Sequence, residues 1–147
     1  MNIDFAVVCD YALVDQFGKL SVIGLFQHIW VQKFPTVHPR LHLVIRLKGS
    51  RTEVGQHDVR IRLLNEDEQE IISGDGKVNF PEPPAGVLEV EAGAVLAFDV
   101  PFQKPGKYRF EIDVDSDVQT VVPIAVSQGP SPAQVSPDQY GSPPGNN

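Results

Sequence analysis

Apolar and polar residues alternate strictly between Ala94 and Val126. Leu96, Phe98, Val100 and Phe102 share one phase; after Lys104-Pro105-Gly106, Tyr108, Phe110, Ile112 and Val114 share the next. A third run follows Asp115-Ser116-Asp117 and ends in Val122, Ile124 and Val126. Successive side chains of a strand point to opposite faces, so the pattern predicts antiparallel strands with one face buried and one wet. Residues 3–14 repeat it, placing Ile3, Phe5, Val7, Cys9, Tyr11 and Leu13 on the buried side. Asp15-Gln16-Phe17-Gly18 then predicts a tight hairpin connection.

Lys19–Phe34 is too long for one ordinary strand and changes phase, from Leu20, Val22 and Phe26 to Ile29 and Val31. Gly24 lies just before the change, which predicts a bulge or a bend carrying the chain from one sheet to the other. Pro35 and Pro39 are expected to bracket a turn. Leu41–Leu47 and Val59–Leu63 read as further strands, joined by a polar loop over Gly49–Gln56. Between residues 66 and 76 a short strand at Glu70–Ser73 competes with a helical turn over Leu64–Ile72. Pro81-Glu82-Pro83-Pro84 must be loop, because prolines supply no ladder donors. Roughly eight or nine strands at this spacing predict an all-β, immunoglobulin-like two-sheet antiparallel sandwich. It should occupy residues 1–126.

After Val126 the composition shifts to Pro, Ser, Gly, Gln and Asn, with Asp138 the single charge. Such a segment buries too little to offset its ordering entropy, so residues 127–147 are expected to be a disordered tail. Ser131-Pro132, Ser136-Pro137 and Ser142-Pro143-Pro144 could dock into a proline-reading groove or be modified; a solubilising tail is the plainer reading.

The chain has 147 residues and a net charge of −7. That length suits one domain with a real core. The charge argues against a nucleic-acid partner and against adhesion to anionic membranes, both of which recruit basic segments. Cys9 is the lone cysteine, so neither an intrachain disulfide nor a cysteine-based metal site is expected. Met1-Asn2-Ile3-Asp4-Phe5 lacks a basic leader segment, and acids interrupt its apolar run. A cytoplasmic protein is the expectation.

Candidate chemistry is sparse. His38 and His42 have helical metal-ligand spacing, but Pro39 stands between them and residues 41–47 read as strand. Asp113, Asp115 and Asp117 alternate as in a calcium loop. Val118 and Ile124 occupy the positions that need glycine and glutamate, which favours an Asp-rich turn with at most weak calcium binding by the loops. Cys9 reads as a buried structural thiol, and Asp10 as a carboxylate that needs donors if covered. No serine-hydrolase elbow or phosphate loop occurs. No catalytic residue, metal ligand or cofactor site is therefore expected. One asymmetry remains. Arg40, Arg46, Lys48, Arg51, Arg60 and Arg62 are half of the twelve basic residues. If the two strands carrying them pair, Arg46, Lys48, Arg60 and Arg62 would line one wet face for an anion or an acidic partner. The competing reading is cross-strand pairing with acids of the same molecule.

The chain resembles an uncharacterised family of small bacterial all-β proteins, a domain of unknown function. Cys9-Asp10-Tyr11-Ala12, Gly18-Lys19-Leu20, Gly24-Leu25-Phe26, Phe34-Pro35 and Pro105-Gly106-Lys107-Tyr108 through Asp115 carry the resemblance. It implies a bacterial, cytosolic origin and transfers no activity. The expected role is a non-enzymatic protein-interaction or assembly module, with self-association favoured by open strand edges. The alternative is a small-ligand sandwich for anions or carbohydrates, for which Trp30 and Tyr140 are the aromatic candidates.

Overall fold

The computed structural model describes residues 1–131 and is all-β, with nine strands among them. The strands are β1 (Asn2–Val14), β2 (Leu20–Leu25), β3 (His28–Val31), β4 (Thr36–Ser50), β5 (Gly55–Leu64), β6 (Glu70–Phe80), β7 (Glu89–Phe102), β8 (Gly106–Val114) and β9 (Val118–Gln128). They form a four-stranded sheet, ordered β2-β1-β4-β7, and a five-stranded sheet, ordered β3-β9-β8-β5-β6. Every pair is antiparallel except β3–β9, which is parallel. That exception follows from the predicted bend. The chain leaves β2 at Gly24 (φ +70°), and Phe26 still donates to Val8 O beside the first sheet. β3 then joins the second sheet alongside β9.

Between the sheets lies the core, in which Leu41, Leu43, Ile45 and Leu47 of β4 meet Ile61, Leu63, Phe110, Ile112 and Ile124, with Phe80 and Phe102 filling the space beside them. All are essentially inaccessible to solvent. Fully burying one such side chain is worth about 1.5–3 kcal/mol, so this set dominates the stability of the domain.

Three local predictions are corrected. In β1 the register slips between Ile3 and Phe5, so Ala6 and Val8 face the main core while Phe5, Val7 and Cys9 face the other way. A one-residue bulge inverts every later side chain, and alternation alone does not locate it. Pro39 does not close a turn. β4 runs through it with a register shift between His38 and Leu41, where Arg40 (φ +51°) donates its backbone N–H to Asp99 Oδ1 at 2.9 Å. Residues 70–80 form one long strand, and no helical turn forms over Leu64–Ile72. The preceding turn is held by Asn65, whose side-chain oxygen accepts from the N–H groups of Asp67 and Gln69. Gly74 is where Phe98 of β7 approaches, leaving little space for a side chain.

At the far end, β9 continues through Ser127 and Gln128, which pair with Trp30 and Val31. The sheet therefore takes in the first two residues assigned to the tail. The tail expectation for residues 132–147, with its Ser-Pro pairs and Tyr140, lies outside the described residues.

Candidate functional site

The four cations singled out in the sequence do not share a face. β4 and β5 belong to different sheets, so Arg46 and Lys48 stand on one side of the molecule and Arg60 and Arg62 on the other. Local acids pair with most of them. Arg46 pairs with Glu91 and lies 3.6 Å from Asp4, and Lys48 reaches the same carboxylate at 3.5 Å. Arg62 donates to Glu111 Oε2 at 2.7 Å, and Arg60 stands in register with Asp75 and Asp113. The cross-strand alternative is the one the fold realises.

The histidines and acids are equally dispersed. His42 is buried against Tyr11, with Nδ1 2.7 Å from Arg40 O, whereas His38 packs on Phe26. Asp115 belongs to a turn and accepts from Asp58 N at 2.8 Å and from His57 Nδ1 at 2.5 Å. Among the described residues no group of three or more His, Cys, Asp or Glu side chains could hold a metal ion. Cys9 is fully buried, and burial pushes its thiol pKa up.

The part of the surface that stands out is built by the first hairpin. β1 pairs with β4 only as far as Cys9, and beyond it only with β2. Neighbouring strands lie about 4.8 Å apart, so in a flat sheet β2 would sit roughly 14 Å from β7. Yet Leu20 of β2 stands directly over Gly93 of β7, with its side-chain atoms 2.8 Å from where a Cβ would be. The ribbon made of residues 10–25 therefore folds back over the outer face of its own sheet. This explains a second, smaller core of Cys9, Ala12 and Val44, flanked by Phe5, Val7, Leu20, Val22 and Val95. It also explains why Val44 and His42, on the outward phase of β4, are buried.

The fold-back leaves the other side of the ribbon to solvent. Tyr11 and Ile23 are cross-strand partners there, 47% and 60% exposed. Leu13 and Leu25 extend the row at 39% and 64%. None of these side chains carries charge, and among the described residues β2 has no strand on its far side.

At the base of the ribbon an open cleft of about 890 Å³ separates the edges of the two sheets. Asp10, Phe26, His28, Trp30 and His38 line it. Gly24 lets Asp10 lie against the β2 backbone, since any Cβ there would overlap the carboxylate. The rings of His28 and Trp30 stack at 4.1 Å and within 2° of parallel, and Ser127 Oγ lies 2.7 Å from His28 Nε2. His38 has its pKa lowered by burial, with Asp10 opposing that shift. Sequence reasoning noted Asp10 and Trp30 separately. That both line one cleft depends on the parallel β3–β9 pairing, for which no short-range signal exists.

A family model described as "Family of unknown function (DUF6941)" matches residues 4–127, so the chain belongs to that family. No curated protein matches the sequence.

Proposed function

We propose, for a chain whose family has no assigned activity, that the domain is a non-enzymatic assembly module acting in the cytoplasm, and that two copies join through the solvent side of the folded-back ribbon. The observation that carries the reading is the uncharged row Tyr11, Leu13, Ile23 and Leu25 on a molecule of net charge −7. Contiguous exposed apolar surface favours contact with another protein surface. Two strongly acidic copies repel each other except where no charge faces the partner, and this row meets that condition. An antiparallel ribbon is also self-complementary about a two-fold axis, so Tyr11 of one copy can cover Ile23 of the other.

Sedimentation from micromolar to millimolar concentration tests the reading. A concentration-dependent dimer is expected for the native chain, and a monomer for Ile23→Lys, whose position is too exposed to threaten the fold. A native chain that stays monomeric throughout, or an Ile23→Lys variant that dimerises equally well, overturns it.

A further inference from the structure

The cleft at the base of the ribbon shares Leu25 with the proposed dimer face, but its carboxylate and its aromatic rings lie outside that row. Its lining includes one carboxylate, Asp10, and no lysine or arginine. Among the described residues the Asp10 carboxylate has no hydrogen-bond or ion-pair partner, and neither do the His38 ring and the Trp30 indole N–H. Every other feature of the opening is aromatic, apolar or neutral: the stacked His28–Trp30 pair, Phe26, Leu25, Val37 and the Gln32 amide.

We infer that this cleft binds an organic cation, a guanidinium or alkylammonium group held between the Asp10 carboxylate and the Trp30 ring. Each half of the inference rests on a separate property. A carboxylate with no internal partner offers a charge-assisted hydrogen bond to any N–H cation that reaches it. An indole attracts the same cation through its ring quadrupole, more strongly once the cation sheds water in a cleft. The lining offers no lysine or arginine to offset the desolvation of an anion, which favours a cation. The surrounding charge of −7 raises the local concentration of cations. His38 adds a neutral acceptor or donor beside the carboxylate. The cation can come from a free amine or from an arginine or lysine side chain of an extended peptide lying between the open edges of β2 and β3. The chemistry at Asp10 and Trp30 is the same in both cases.

Trp30 is the single tryptophan of the chain, so its fluorescence reports this cleft alone. Titrations with ethylguanidinium, with tetramethylammonium and with a short arginine-containing peptide should each perturb the emission saturably. Tetramethylammonium lacks N–H groups and should bind least. A peptide that binds far more tightly than ethylguanidinium assigns the site to a polypeptide partner, and equal affinities assign it to a free small cation. Asp10→Asn keeps the shape and removes the charge, and should weaken ethylguanidinium binding about tenfold or more. Ile23→Lys, which abolishes the proposed dimer, should leave this affinity within about twofold, so the two readings fail separately. Silence to all three cations, unchanged affinity in Asp10→Asn, or a response to methyl glucoside or acetate in place of the cations overturns the inference.

Discussion

Both ring nitrogens of His57 face acceptors, an arrangement that favours the doubly protonated imidazolium. Nδ1 lies 2.5 Å from Asp115 Oδ2 and Nε2 lies 2.6 Å from Glu53 O, and neither acceptor has a hydrogen to give. The Asp115 carboxylate raises the imidazole pKa above its ordinary 6.5, and the imidazole in turn holds Asp115 below its ordinary 3.8. The signs are opposite. A raised histidine contributes stability that is complete below 6.5 and is lost as pH climbs through the folded value. A lowered aspartate contributes stability that is complete above 3.8 and is lost as pH falls through its folded value. The pair is therefore at full strength between these two pH values. Asp115→Asn should narrow that stable range, and urea unfolding across pH checks it. The gap between native and variant proteins should be widest from 3.8 to 6.5 and should shrink on both sides. A gap independent of pH would mean that the two side chains are not coupled.

The closest contact beneath the folded-back ribbon is between Leu20 and Gly93. Leu20 fills the place a side chain at residue 93 would take, so Gly93 is what lets β2 lie over β7. Gly93→Leu should lift the ribbon without disturbing the core between the sheets. Hydrogen exchange would show it as faster exchange of Tyr11–Val14 and Leu20–Leu25, with β5 and β8 as slow as before. Retained protection of the ribbon would mean that Val22 and Ala12 alone hold it down. This element also marks where the sequence stopped being legible. Alternation located β7, β8 and β9 because their inner residues obey one period from end to end. Ile3 to Leu13 obey the same period on paper. The bulge beside Asp4 and the fold-back after Cys9 reassign those residues to two different cores, and neither leaves a local signature. β6 was half-hidden for a related reason. Ser73-Gly74-Asp75-Gly76 has the composition of a turn, yet here Gly74 makes room for Phe98 of β7. The cleft was legible only as isolated residues, since Asp10 and Trp30 lie twenty positions apart and come to line one cleft only once β3 pairs with β9.

The charge distribution sets how the whole molecule should respond to salt, with a different sign at each proposed surface. Among the described residues Arg46, Lys48, Arg62, Lys77, Lys104 and Arg109 pair with acids of the same chain, and the chain as a whole keeps a net charge of −7. Exposed pairs of this kind contribute about 0–1 kcal/mol each and are weakened further by salt. Two copies brought together at the apolar ribbon face lose apolar surface to water, which salt does not screen, while their net charges repel over distance. Raising ionic strength from about 0.01 M to about 0.15 M shortens the screening length from about 30 Å to about 8 Å. The dimer should therefore tighten with added sodium chloride. Ethylguanidinium at Asp10 is held by attraction between opposite charges and should loosen over the same range. Sedimentation equilibrium and Trp30 emission, measured on one salt series, read both trends. A dimer that dissociates as salt rises would mean that ion pairs join the copies, and would move the interface from the ribbon to a charged face.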